Sequence, residues 1–204
     1  MELSRYLERI LLKYSGTFDI YRPYSIEGEE YPAYGYFHNH LEKYVLVREA
    51  NLWASDSYEH VLFLTADRIG IRQVEKAQAL IREYMEPVLV RKKEKLPEKN
   101  HMYSFLTVIL LSQESPDPAA VRMVKKYSYD KGYQFQLRGF SNGQLALVSM
   151  EDRRVVCNRA ASKKEKVLKE VFADVDAGKP GFQEICDRDG IEAFRQEKDG
   201  ADAE

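Results

Sequence analysis

Tyr103-Ser104-Phe105-Leu106-Thr107-Val108-Ile109-Leu110-Leu111 decides the fold, because from Phe105 onward only Thr107 is polar. Apolar side chains at both odd and even positions leave no face for water. Such a run must be a strand covered on both sides, in the middle of a sheet. Upstream, Ile71, Val74, Ala77, Ile81, Met85 and Val88 recur at helical spacing, with Arg72, Glu75, Lys76, Arg82 and Glu83 on other faces. They predict an amphipathic helix whose extent Pro87 limits. Downstream, Ser115-Pro116-Asp117-Pro118 opens a further helix, in which Val121, Val124 and Tyr127 face inward. Asp117 can cap it and Pro118 suits its first turn, where the missing N–H is not needed.

A strand at Glu59–Thr65 precedes this unit. The order strand, helix, strand, helix is that of an α/β (or α+β) domain with a mixed sheet and two crossover helices. Beyond it, Tyr133–Arg138, Leu145–Met150 and Val155–Asn158 read as a β-meander, turned at Asn142-Gly143 and at Asp152-Arg153. Asn-Gly is the strongest short-range hairpin signal. Before it, Leu3, Tyr6, Leu7, Ile10, Leu11 and Tyr14 make one stripe of a first helix, with Gly16 suited to a left-handed cap. Short strands at Phe18–Tyr21, Tyr34–His38 and Tyr44–Glu49 join Glu59–Thr65 in an N-terminal antiparallel group, interrupted by a turn-prone stretch from Pro23 to Pro32. Ser162-Lys163-Lys164-Glu165 is a capping box that opens a last helix through Phe172.

Charge divides the chain unevenly. Residues 174–204 carry ten acidic and four basic side chains, a net of −6, against −2 for the whole chain. The expectation is one domain over residues 1–172 and an acidic, largely disordered tail over 173–204. No apolar run approaches a membrane span, and no leader-like apolar segment follows Met1. Cys157 and Cys186 make neither a metal-spaced pair nor a disulfide framework. A cytoplasmic protein without a membrane partner and without a cofactor is expected.

Gly139-Phe140-Ser141-Asn142-Gly143 matches the nucleophile elbow of α/β-hydrolases. That chemistry needs a histidine after the serine, and His38, His40, His60 and His101 all precede it. Tyr127-Ser128-Tyr129-Asp130-Lys131 matches two catalytic spacings but lacks their companion motifs, among them any G-x-G-x-x-G. No P-loop and no H-E-x-x-H occurs. His38-Asn39-His40 points two imidazoles to one face of a strand; a zinc site would need a third ligand from His60, Glu42, Asp56 or His101. That is the metal-dependent hydrolase reading.

Nine of the fourteen tyrosines precede residue 59. On a strand, Tyr34, Tyr36, His38 and His40 share one face, opposite Ala33, Gly35 and Phe37. With Arg48 and Trp53 nearby, this face is the leading ligand-binding candidate. The competing reading is a half-buried sheet face packed against the first helix. Lys92, Lys93 and Lys95 in a loop of net charge +3, with Lys163, Lys164 and Lys166, are the candidates for nucleic-acid contact.

The element order from Glu2 to Arg138 resembles that of restriction-endonuclease-like folds. The resemblance implies carboxylates and a D/E-x-K lysine around Mg²⁺, yet no D/E-x-K triplet occurs, and Asn51 and Val61 stand two residues after Glu49 and Glu59. It therefore points to a relative that binds without cutting. The stretch Gly132-Tyr133-Gln134-Phe135-Gln136-Leu137-Arg138-Gly139-Phe140 through Asn158 is similar to a group of uncharacterised bacterial proteins, and brings no activity with it. The sequence thus leads to a non-catalytic bacterial binding protein, homodimeric or otherwise homo-oligomeric, for an unidentified protein or small molecule. A nucleic-acid-associated protein is the alternative.

Overall fold

The structure is a computed structural model that describes the backbone of residues 1–43 and 53–189 and the side chains of residues 1–39 and 56–189. Helix α1 (Leu3–Ser15) leads into β1 (Asp19–Tyr21), a small hairpin of β2 (Tyr24–Ile26) and β3 (Glu29–Tyr31), and the long strands β4 (Ala33–Lys43) and β5 (Trp53–Ala66). Helix α2 (Ile71–Ala79) continues as a π-helix over Leu80–Val90, and β6 (His101–Ser112), α3 (Pro118–Lys126), β7 (Asp130–Gly132), β8 (Phe140–Ser149) and β9 (Arg154–Cys157) follow. Helices α4 (Glu165–Asp176) and α5 (Phe182–Asp189) close the described chain. The expected strand at Tyr44–Glu49 lies outside the described residues.

Seven strands form the main sheet in the order β1-β4-β5-β6-β8-β7, with β9 also on β8. The middle strands β5, β6 and β8 are parallel, and the flanking pairs are antiparallel. The mixed α/β class, the N-terminal antiparallel group and the two crossovers are as expected. Strand β6 is central, and its register explains the apolar run: Leu106, Val108 and Leu110 enter one core, Ile109 and Leu111 the other. Both crossovers lie on the first face, as they must when parallel strands are added in one direction with right-handed connections. Val74, Ala77, Ile81, Met85, Ala120, Val121 and Val124 pack there. Helices α1, α4 and α5 cover the other face through Tyr6, Ile10, Leu11, Leu168, Val171 and Phe172.

Several local expectations are corrected. Tyr133–Arg138 is a turn, in which Gln134, Phe135 and Gln136 all have positive φ, and Asn142-Gly143 lies inside β8. The C-terminal antiparallel group is therefore β7, β8 and β9, with only the β8–β9 turn where Asp152-Arg153 placed it. Gly143 is needed for closeness, since a Cβ there would sit 2.8 Å from Tyr129 Cβ and 2.9 Å from Tyr127 Oη. The stretch from Pro23 to Pro32 holds the β2–β3 hairpin, Gly16 is right-handed rather than a left-handed cap, and Ser162 makes no side-chain cap.

The domain does not end at Phe172. Helix α5 buries Phe182 and Cys186 in the α1 core. Gln183 N–H donates to Glu8 Oε2 at 2.8 Å, and Arg9 donates to the Pro180 carbonyl at 3.1 Å. Asp174 sits among Arg9, Lys13 and Lys179, which hold its carboxyl below the usual range. The acidic charges of residues 174–189 are thus partly consumed by packing, and the disordered-tail expectation fails for them; residues 190–204 lie outside the description.

Candidate functional site

Side chains on alternate positions of β4 and β5 build one face of the sheet. Tyr34, Tyr36 and His38 pair across to Leu62, His60 and Tyr58. The same face thus changes character along β5, from Asp56, Tyr58 and His60 to the buried Leu62 and Leu64. On β6, the register shifts between Asp56 and Ser57, where Asp56 pairs with His101 and Ser57 with Tyr103. This bulge leaves Met102 extra and turns His101 to the face of Ser104 and Leu106, which strict alternation would deny it.

Above these residues runs the π-helix. Its buried positions, Leu80, Ile81, Met85, Glu86 and Val90, recur every four to five residues, wider than an α-helix allows. Pro87 lies within it. The wide turn puts Glu86 inside, at 1% exposure. Burial opposes its charge, but Arg91 Nε (2.7 Å), Lys131 Nζ (2.9 Å) and Tyr133 Oη (2.9 Å) all contact it and hold its carboxyl below the usual range. This buried cluster fixes the helix end and the loop that begins at Arg91.

Between helix end, loop and sheet lies a cavity of about 210 Å³ lined by Tyr36, His38, Tyr58, His60, Leu89, Val90, Lys92, Glu98 and His101. Its floor is a ladder of rings. Tyr58 stacks on His38 at 4.6 Å with planes 6° apart and on His101 at 5.9 Å and 11°. Tyr36 lies beside both Tyr58 and His60. At the wall, Lys92 and Glu98 form an ion pair.

The three histidines are each held. His101 Nδ1 is 3.0 Å from the Arg138 carbonyl, so that nitrogen carries the proton, and Nε2 accepts from Ser104 Oγ at 2.8 Å. Burial lowers its pKa, against the Arg138 hydrogen bond. His60 Nδ1 lies 2.6 Å from Tyr34 Oη. Burial keeps the Tyr34 phenol protonated and pushes His60 down to about 3, with His101 adding to the effect. A buried phenol proton needs an acceptor, and Nδ1 is the one it has, which makes His60 the neutral Nε2–H tautomer. His38 Nε2 lies 3.0 Å from Asp56 Oδ1.

Of the sequence candidates, Tyr36 and His38 line the cavity, while Tyr34 is buried behind it as the partner of His60. The face they share packs under the π-helix, not under α1; Phe18 and Ile20 lie against Gly35 on the other side. The side chains of His40, Arg48 and Trp53 lie outside the description. Tyr58, Leu89, Val90 and Glu98 were missed. The Tyr58-x-His60 alternation carried a signal, whereas His101 depends on a bulge that no pattern announces.

Among the described residues, no three His, Cys, Asp or Glu side chains are placed to hold a metal. Ser141 is fully buried, 2.7 Å from Tyr133 Oη, and so is no exposed nucleophile. Burial pushes the Cys157 thiol up to about 11 and also raises Cys186, which leaves both unreactive. The lysine candidates do not form one stripe. Lys92 lines the cavity on the π-helix face, whereas Lys163 and Lys164 lie with Tyr14 and Phe18 on the α1 face, where Lys164 pairs with Glu59.

No curated protein and no solved structure matches the chain. Among the described residues, no helix is long and apolar enough to cross a membrane. A family model described as a domain of unknown function (DUF8052) matches residues 2–170, which include every wall of the cavity, and the chain belongs to that family.

Proposed function

We propose that the protein is a non-catalytic binding module that holds a small, planar, uncharged molecule in the Tyr–His cavity. The observation that supports this most is the stacked ladder of Tyr58, His38 and His101 opening into a polar-edged space. Rings stacked on one another cover each other's π-faces and turn their edges to the space, which a slim guest with hydrogen-bonding atoms on its rim matches best. The volume equals that of about seven liquid waters, enough for a single heteroaromatic ring with substituents.

The charge of the guest follows from the walls. Lys92 is neutralised by Glu98, His60 stays neutral, and burial lowers His101 too. A strong anion would find no unpaired cation within this lining, and a cation would meet the positive Nε2–H edge of neutral His60. The edge on offer is a donor from His60 Nε2–H and the Tyr36 hydroxyl, so the guest carries a ring nitrogen or carbonyl acceptor. Catalysis by His60 is disfavoured, because burial makes it too weak a base near neutrality, and Ser141, Cys186 and the half-buried Cys157 lie elsewhere. Two free cysteines support a reducing, cytoplasmic setting.

Saturation-transfer NMR with a panel of one-ring and two-ring heteroaromatic fragments tests this. Leu89→Trp fills the cavity from the helix side. Binding by the wild type that is lost in Leu89→Trp is expected; binding retained in that variant would remove the cavity from the account.

A further inference from the structure

Two side chains break the rule that large apolar groups avoid water. Phe135 is 101% and Leu137 84% exposed, and Met102, the bulge residue of β6, is 49% exposed. Single exposed apolar residues need no explanation, but a cluster held outward by the backbone does. Gln134, Phe135 and Gln136 have φ of 47°, 54° and 68°, three successive non-glycine residues in the left-handed region. That conformation is strained, and it persists only where its surroundings enforce it.

The enforcement is visible. Leu137 N–H donates to the Gln134 carbonyl, Gly139 N–H to that of Gln136, and Tyr133 N–H to that of Gly139, each at 3.0 Å. Gly139, at φ +75°, lies so close to β6 that a Cβ would come within 2.2 Å of the Met102 carbonyl oxygen. Tyr133, 3% exposed, anchors the base through Glu86 and Ser141. The turn is a rigid mount, and what it presents is Phe135 and Leu137.

The neighbouring loop carries positive charge. Arg138 Nη1 reaches the Pro97 carbonyl at 3.5 Å, which ties the turn to the loop before β6. Within that loop Lys93, Lys95 and Lys99 are exposed and have no ion-pair partner among the described residues. Glu98 is already paired to Lys92, which leaves Glu94 as the one carboxylate there outside an ion pair.

We infer that this end of the molecule docks on an anionic lipid surface, with Phe135 and Leu137 entering the headgroup boundary and Lys93, Lys95 and Lys99 resting on the acidic headgroups. Neither part is enough alone, since lasting attachment takes an apolar and an electrostatic signal together. A protein partner fits less well. Three exposed side chains present far less than the roughly 800 Å² that each side of a standard protein interface buries. This surface does not depend on the cavity being a ligand site.

Vesicle flotation of the full chain tests the inference, with phosphatidylcholine vesicles and with phosphatidylcholine–phosphatidylserine vesicles. Retention on the second only, released by high salt, is expected. The double substitution Phe135→Ser and Leu137→Ser should reduce retention at least about tenfold, and Lys93→Glu with Lys95→Glu should do likewise. Because all four side chains are exposed, these variants should melt with the wild type, which separates lost docking from lost folding. Equal retention on both vesicle types, or retention unchanged by the Phe135 and Leu137 substitutions, overturns the inference. So does absence of retention, which would leave the tip to a protein contact.

Discussion

Strand β5 has one face and two characters. Leu62 and Leu64 lie under α2 and the neighbouring π-helix in a filled apolar core, whereas Tyr58 and His60, on the same face and the same strand, border a cavity. Backbone pairing is continuous across the boundary, for β4 and β6 flank both halves. The difference is therefore made by side chains, by the bulge that brings His101 to this face, and by what lies above them. Under α2 and α3, Leu62, Leu106, Val108 and Leu110 are buried in one apolar cluster with Val74, Ala77, Ala120 and Val124. Under the end of the π-helix, flat rings stand parallel, the helix turn widens, and Glu86 draws Arg91, Lys131 and Tyr133 inward. One half contributes stability, and the other accepts partly satisfied polar groups for the sake of a space.

The apolar half should be the more sensitive to a buried charge. Val108→Asp puts a carboxylate in a fully buried position with no partner and should cost more than about 4 kcal/mol, enough to unfold the domain. Circular dichroism checks this; a folded variant would mean that the middle of β6 is not core. A smaller loss should follow truncation after Ala177. It removes the burial of Phe182 and Cys186 and the Arg9 contact to Pro180, and should lower stability by about 2–4 kcal/mol in thermal denaturation. An unchanged melting temperature would mean that α5 does not hold to α1.

Acid distinguishes the polar half. His60 folds with a pKa of about 3 against 6.5 for the free side chain, so below 6.5 the unfolded chain binds the extra proton. Stability should be full above that value and fall as pH drops, by at most about 1.4 kcal/mol per pH unit from this residue, until the folded group also titrates. His101, also lowered, acts in the same sense. Glu86, held below 4.5, and Asp174, held below 3.8 by Lys179, Lys13 and Arg9, lose their contributions as pH falls through those values, so the range from pH 6.5 to 5 reports the imidazoles. His60→Gln should be less stable at neutral pH and show a shallower slope in urea titrations between these values. An equal slope would place the acid sensitivity elsewhere.

The apolar half was legible from sequence because its information is periodic. A run filling both faces named β6, and helical spacing named α1, α2 and α3. The polar half was legible only in part. Tyr36 and His38 declared their shared face by alternation, but what covers them depends on a π-helix whose wider period reads as an interrupted α-helix near Pro87. His101 arrives through a one-residue bulge, and the turn at Gln134–Gln136 has none of the glycines that mark left-handed backbone. Asn142-Gly143, the strongest hairpin signal, was overridden because Gly143 is required beside Tyr127 and Tyr129 within β8. The tail misled for a related reason, since Asp174 pairs with Arg9 and Lys13 on α1 and Asp176 with Arg153, all far away in sequence.

If the Tyr–His ladder is a place for a guest, binding must reach its imidazoles. The most direct measurement is the imidazole ¹⁵N spectrum of histidine-labelled protein during titration with a fragment that binds. The His60 and His101 resonances should move together and saturate at one affinity, with His60 remaining neutral. A saturating fragment that leaves both resonances in place would contradict a guest there.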